Sequence, residues 1–80
     1  MILVDRVIMP TEYLFTAHAL LRMKKRGVSK EDVEDAVQYS DLTLRKQGKY
    51  YARKNTGRGT AEVVYEKTEN YIKVITVYWV

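Results

Sequence analysis

The sequence contains no cysteine, only one proline and only one histidine. Without cysteine the chain forms neither a disulfide nor a thiolate metal site, a composition that is typical of proteins in a reducing cytoplasm. The sequence also has no apolar run suited to a membrane span or a signal peptide, because Asp5 and Arg6 interrupt the apolar residues near its start. We therefore expect a cytoplasmic protein without a membrane segment.

The chain is also too short to bury a large core. Its 80 residues predict one domain, residues 1–80, whose hydrophobic gain only slightly exceeds the entropy of ordering the chain. The first residues are rich in Ile, Leu and Val and are followed by Pro10, which removes a backbone donor. Residues 1–12 are therefore interpreted as either an edge strand or a flexible lead-in.

Acidic residues are missing between Leu42 and Ala61, although the chain carries ten of them and a formal net charge of +4. Basic groups and tyrosines are interleaved in this stretch, a pattern that suits a polyanion whose phosphates attract cations and whose bases stack on aromatic rings. A solvated, soluble hairpin explains the same charges equally well. The residues expected to contact such a nucleic acid are Arg45, Lys49, Tyr50, Arg53 and Lys54, together with Arg26, which precedes this stretch in the chain.

Two short helices are predicted between Thr16 and Val37. Thr16 is a suitable N-cap for the first, and Gly27 suits the left-handed position that follows a helix end. Ser29 and Asp32 form a shortened capping box for the second. These local signals place the boundaries of both helices.

One arc of the first predicted helix is cationic. At about 100° per residue, His18, Arg22 and Arg26 share this arc. Leu20 and Met23 lie outside it, and we expect their face to pack against a sheet. Cations late in a helix also complement the helix dipole, so stability alone is a second explanation of the arc.

Alternating patterns typical of strands surround the helices. The predicted extended segments are Tyr13–Phe15, Leu42–Lys46, Lys49–Lys54, Thr60–Lys67 and Tyr71–Val80. Gln47 and Gly48 indicate a tight hairpin turn. We predict an α+β fold in which two N-terminal helices pack on one face of an antiparallel sheet of three or four strands.

The last strand is apolar on both faces, which is typical of a strand in the middle of a sheet. Strict alternation assigns Ile72, Val74, Thr76 and Tyr78 to one face and Tyr71, Ile75, Val77 and Trp79 to the other. The residues expected to be largely buried are Val63, Val64, Ile72, Val74 and Ile75.

The sequence favours chemistry that needs neither a metal nor another cofactor. One histidine, no cysteine and acidic residues gathered on a helix do not match the usual ligand spacings. The Gly57–Gly59 segment lacks the spacing of nucleotide loops, and Ser29 and Ser40 fit helix ends better than a catalytic triad. What remains is an imidazole near several guanidiniums, groups that can move a proton and stabilise a crowded phosphate.

Several segments resemble one known family. The run HALLRMKKRGVSKEDVEDAV, the pair Gly57-Arg58, the segment AEVVYE and the final IKVITVY are similar to domain-of-unknown-function family 4258, which belongs with the RelE-like and BrnT-like ribonuclease toxins. The resemblance implies a compact RelE-like sheet with two N-terminal helices, and metal-independent cleavage of RNA. The matching positions are His18, Arg22 and Arg26 in the helix motif, Arg58 in a loop, and Thr76 and Tyr78 in the last strand.

Such cleavage requires a base for the 2′-hydroxyl proton, cations around the phosphate and an acid for the leaving oxygen. We expect His18 to transfer a proton, Arg22 and Arg58 to hold the phosphate, and Arg26 to position the strand. Tyr78 is a second candidate for proton transfer, although its apolar strand favours a core or interface position. The expected product is a 2′,3′-cyclic phosphate.

The resemblance further implies the toxin of a toxin–antitoxin pair, with RNA as substrate and an acidic antitoxin protein as partner. A non-catalytic RNA-binding or protein-interaction module of the same fold is the alternative. In that alternative the cationic stretch and a sheet edge engage an acidic partner.

Overall fold

The computed structural model of the protein describes residues 12–80. The elements, in chain order, are β1 (Glu12–Phe15), α1 (Ala17–Arg26), α2 (Lys30–Gln38), β2 (Leu42–Lys46), β3 (Lys49–Asn55), β4 (Thr60–Lys67) and β5 (Tyr71–Trp79). The edge strand or lead-in expected for residues 1–12 lies outside the described residues except for Glu12. Across residues 12–80, no helix has the length and apolarity required to cross a membrane.

The ends of both helices match the predicted capping residues. The Thr16 hydroxyl accepts a hydrogen bond from the Ala19 amide at 2.9 Å, and Gly27 follows α1 with a φ of 68°. Ser29 and Asp32 exchange side-chain to backbone hydrogen bonds, both 3.0 Å long, at the start of α2. The sequence therefore predicted these boundaries correctly, because each depends on residues within one turn of the helix end.

The predicted α+β class is confirmed, but the expected antiparallel sheet of three or four strands is corrected. Within residues 12–80 the sheet has five strands in the order β1-β5-β4-β3-β2, and it is mixed because β1 runs parallel to β5. Thr16 anchors this pairing: its amide donates to the Val74 carbonyl at 3.1 Å and its hydroxyl to the Ile75 carbonyl at 3.0 Å. These contacts join distant parts of the chain, so no local pattern indicated them.

A β-bulge in β5 changes which side chains face the helices. Val64 of β4 pairs with Thr76, whereas the next residue, Tyr65, pairs with Val74, so Ile75 is the extra residue. The strict alternation predicted for the last strand is therefore wrong beyond Ile75. Val77 joins Val74 on the face covered by the helices.

The core lies between the helices and one face of the sheet. Its fully buried members include Val33 of α2, Val63 of β4 and Val77 of β5. The predicted burial of Val63, Val64, Ile72 and Val74 is confirmed, whereas Ile75 at the bulge is only half-buried.

The expected packing of Leu20 is wrong. Leu20 is 44% exposed, whereas Ala19 and Met23 are the buried residues of α1. The apolar part of α1 is wider than its contact with the sheet, so helical periodicity alone did not select the face that packs. Met23 was correctly expected to face the sheet.

Truncation of Val74 to Ala should destabilise the domain by about 2 kcal/mol, because it removes fully buried methyl groups and leaves a cavity. Leu20→Ala is the control and should cost less than about 1 kcal/mol, since much of Leu20 already contacts solvent. Urea unfolding of both variants measures the difference. Equal losses would contradict the packing described here.

Candidate functional site

The face of the sheet opposite the helices, here called the helix-free face, carries an ordered group of polar side chains. The pairing register aligns Tyr78 of β5 with Glu62 of β4, Arg53 of β3 and Leu42 of β2. These four residues lie side by side across four strands. Their side chains project from the same face because directly paired residues share a face.

Glu62 is an acidic residue buried within this face. Only 4% of its surface is exposed, and its two carboxylate oxygens have different partners. Arg53 Nε donates to Oε1 at 2.6 Å, and the Tyr78 hydroxyl donates to Oε2. Burial of a carboxylate is costly unless charge and hydrogen bonds compensate it, and here neighbouring strands on both sides supply the compensation.

The hydrogen bond to Glu62 changes the proton affinity of Tyr78. It is the largest of the effects that raise the pKa of the Tyr78 phenol from 10.0 to about 12, followed by burial. The phenol therefore stays protonated near neutral pH and acts as a hydrogen-bond donor toward the carboxylate.

A small cavity opens beside the buried carboxylate. It has a volume of about 200 Å³ and is lined by Leu44, Lys46, Tyr51, Arg53 and Glu62. Leu44 and Tyr51 supply apolar walls, and Lys46 adds a positive charge. A carboxylate, two cations and an aromatic ring therefore converge on one opening in the helix-free face.

A larger cleft of about 480 Å³ lies where β1 and the end of α2 meet the β4–β5 turn. Its walls include Tyr13, Tyr65 and the turn residues Thr68 and Asn70. We place the candidate site at the smaller cavity because that cavity contains the buried ion pair. Among residues 12–80, no three His, Cys, Asp or Glu side chains are grouped as metal ligands.

Arg26, from the predicted cationic arc of α1, contacts β5 on the side that faces away from β4. Val80 donates to the Thr60 carbonyl, so the alternation of an antiparallel ladder points the Val77 carbonyl away from β4. Arg26 Nη1 donates to this carbonyl at 3.5 Å. Arg22 is half-buried and His18 is exposed on the same side of the helix as Arg26.

Arg58, predicted to hold a phosphate, makes contacts with the helix junction. Its guanidinium donates to the Asp32 carboxylate at 3.0 Å and to the Gly27 carbonyl at 3.2 Å. It also lies over the Trp79 ring, 5.5 Å from the centroid. These contacts fasten the β3–β4 loop to the helices, on the side of the sheet opposite Tyr78.

The structure therefore does not gather the four predicted catalytic residues at one point. His18 and Arg22 lie on α1, Arg58 joins the helix junction, and Tyr78 faces the helix-free side of the sheet. Their catalytic roles remain predictions. Of the four, Tyr78 alone belongs to the cluster around Glu62.

The predicted RNA-contacting residues of the hairpin are divided between the two faces of the sheet. Lys49 and Arg53 lie on the helix-free face, where they pair with Glu66 and Glu62. Arg45, Tyr50 and Lys54 face the opposite way. Arg45 lies 5.4 Å from the centroid of the Tyr50 ring, and that ring stacks on Tyr65. The charge pattern of the sequence did not show this division, because it took no account of the alternation of side chains between the two faces of a strand.

Glu62 was missed by sequence reasoning, although one signal was present. It is the single acidic residue inside the apolar run A-E-V-V-Y, Ala61 to Tyr65, of a strand that β3 and β5 flank. An acid at such a position requires partners on the neighbouring strands. Those partners are known only when the register of all three strands is known.

Arg53→Ala should destabilise the protein by roughly 1–3 kcal/mol, because it leaves the Glu62 carboxylate buried without its cation. Lys49→Ala is the matched control on the same strand. Its 3.7 Å pair with Glu66 is about 40% exposed on each side, and the loss should be about 0.5 kcal/mol or less. Urea unfolding measures the loss of unfolding free energy in both variants. A loss in Lys49→Ala as large as that in Arg53→Ala would contradict this account.

Glu62→Gln should lower the pKa of Tyr78 from about 12 toward 10.0, because it removes the charged acceptor. The pKa is measured by ultraviolet titration of the parent and of Glu62→Gln. Subtracting the titration curve of the same protein with Tyr78→Phe added isolates the Tyr78 phenol. Because the folded-state pKa is raised, the hydrogen bond stabilises the protein fully below pH 10 and loses this effect as the pH rises toward 12. An unchanged Tyr78 pKa in Glu62→Gln would contradict the assigned cause.

Comparison with known proteins identifies the family. The family described as "Domain of unknown function (DUF4258)" matches residues 15–79, which include both helices and strands β2 to β5. No curated protein and no solved structure matches the chain. The match covers more than half of the chain and contains Arg53, Glu62 and Tyr78. The chain therefore belongs to the DUF4258 family.

Proposed function

We propose that this chain is a metal-independent ribonuclease that cleaves RNA by attack of the 2′-hydroxyl, with the helix-free face as its active face. The observation that supports the proposal is the buried Glu62 carboxylate between Arg53 and Tyr78. These side chains provide a base, a cation and an acid, which are the groups required by this reaction.

In this mechanism Arg53 receives the phosphate. Its side chain is 44% exposed, whereas that of Glu62 is 5% exposed, so an incoming phosphate meets the guanidinium first. As the guanidinium turns toward the phosphate, it releases Oε1 of Glu62. The freed carboxylate then accepts the proton of the 2′-hydroxyl as the new oxygen–phosphorus bond forms.

Tyr78 completes the proton transfer. The hydrogen bond to the Glu62 carboxylate is the largest cause of the raised pKa of Tyr78, so protonation of Glu62 weakens this bond and lowers that pKa. The phenol becomes a stronger acid at the stage when the departing 5′-oxygen needs a proton. The products are a 2′,3′-cyclic phosphate and a 5′-hydroxyl.

The surroundings of the cluster suit single-stranded RNA. Tyr51 is half-buried beside the cavity and offers a ring on which a base can stack. Lys46, Lys49 and Lys73 lie on the same face and attract the phosphate backbone. The helix-free face thus combines a cationic track with an aromatic platform.

His18 is the competing candidate for the base in this proposal. It is exposed on α1, and Arg22 and Arg26 lie on the same side of that helix. Within residues 12–80, no hydrogen bond or ion pair joins it to a carboxylate or a phenol, whereas Glu62 is bonded to both Arg53 and Tyr78. We assign to this arc the binding of flanking phosphates, with proton transfer assigned to Glu62.

The test is cleavage of a single-stranded RNA in excess chelator, with identification of the product ends. Glu62→Gln should slow cleavage by about two to four orders of magnitude. Glu66→Gln is the matched control, since Glu66 is another carboxylate on the same face of β4, and its rate should be close to that of the parent. His18→Ala should retain most of the activity.

Three results would contradict the proposal. Equal rates for the parent and Glu62→Gln would exclude Glu62 as the base, and a large loss in His18→Ala alone would move the proton transfer to α1. Binding of RNA by the parent without any cleavage would favour the non-catalytic module of the same fold.

The RelE-like toxin role and a cytoplasmic location belong to the same proposal. The support is chemical: a formal net charge of +4 and lysines on the helix-free face suit an acidic protein that covers the site. Such an antitoxin should inhibit cleavage and compete with RNA for this face.

A further inference from the structure

Within residues 12–80, strand β2 is an edge of the sheet and pairs on one side only. All five of its residues, Leu42–Lys46, are exposed, and β3 pairs with only one side of it. The two-residue turn makes Lys46 and Lys49 a hydrogen-bonded pair, and such pairs alternate with non-bonded ones. The amides and carbonyls of Thr43 and Arg45 therefore point outward from the sheet, where another strand can bind them.

Two large apolar side chains accompany these outward backbone groups. Leu42 is 47% exposed and Leu44 is 50% exposed, and both lie on the helix-free face. The edge thus offers both backbone hydrogen-bonding groups and apolar surface. Arg45 and Lys46 would repel an approaching strand that places cations opposite them.

Self-pairing of β2 avoids that repulsion in one register. When two copies pair antiparallel about Thr43, each Leu42 lies opposite the other copy's Leu44, so four leucines form one cluster. In the same register each Arg45 lies opposite the other copy's Asp41. Asp41 is exposed and its carboxylate accepts from the Asn55 amide of β3 through Oδ2, so in this register the guanidinium of Arg45 meets an acidic group rather than a second cation.

We infer that two copies of this chain associate through their β2 edges, paired antiparallel about Thr43, to form one continuous ten-stranded sheet. A two-fold axis perpendicular to the sheet keeps all four helices on one side and joins the two helix-free faces. The inference rests on the edge geometry and does not depend on the proposed ribonuclease activity.

This arrangement sets the separation of the two Glu62 clusters. From β4 of one copy to β4 of the other there are five strand spacings of about 4.8 Å, which gives roughly 24 Å. Both clusters then face the same side of one sheet. A single RNA strand of several nucleotides could contact both.

The test compares molar masses in solution by light scattering after gel filtration. The parent should have twice the monomer mass of 9.4 kDa. Thr43→Pro should return it to the monomer mass, because proline removes an outward amide that β3 does not use. Leu21→Lys is the control: this leucine is 57% exposed on α1, and the variant should stay dimeric.

Far-UV circular dichroism and thermal unfolding show whether Thr43→Pro is folded. If Thr43→Pro is unfolded, the molar mass of Leu44→Lys is measured instead. This change puts a charge in the leucine cluster and keeps the backbone amide. A monomeric parent, or a dimer that persists in folded Thr43→Pro or Leu44→Lys, would overturn the inference.

Disulfide trapping tests the register, because the chain contains no other cysteine. An oxidised mixture of Leu42→Cys and Leu44→Cys proteins should give a covalent heterodimer, since these positions are opposed in the Thr43 register. Rapid crosslinking of Leu44→Cys alone would place the axis at Leu44 and overturn the proposed register.

Discussion

The β-bulge at Ile75 decides what each face of the sheet contains. Side chains alternate along a strand, so one extra residue exchanges the faces of everything that follows it. Val77 thereby enters the core beneath the helices, and Tyr78 reaches Glu62 on the opposite face. Without the bulge, Tyr78 would point toward α1 and the carboxylate would lose its phenol partner. The core and the candidate site depend on the same irregularity.

The buried carboxylate connects this geometry to chemistry. A charge with 4% exposure costs free energy, and that cost is offset by Arg53 on one side and Tyr78 on the other. The same contacts raise the pKa of the phenol and leave the guanidinium open to solvent. A cluster that served stability alone could be replaced by well-packed apolar residues of similar volume.

Sequence reasoning succeeded where the cause was local. The caps at Thr16 and Ser29 and the hairpin turn at Gln47 and Gly48 follow from residues only a few positions apart, and both turn residues have the positive φ that such a turn requires. The parallel β1–β5 pair, the bulge and the exposure of Leu20 depend on contacts between distant segments. The buried Glu62 and its hydrogen bonds were missed for the same reason, because the partners come from three strands whose register no local pattern specifies.

The most direct test of the active face is a methyl NMR titration with a short single-stranded RNA that carries 2′-O-methyl groups and therefore cannot be cleaved. Thr76 and Val64 report on the helix-free face, whereas Val33 and Ala19 report on the helices and the core. The account predicts saturable shifts at Thr76 and Val64 that weaken with salt and are reduced in Arg53→Ala. Shifts confined to α1 around His18, with the helix-free face unchanged, would contradict it.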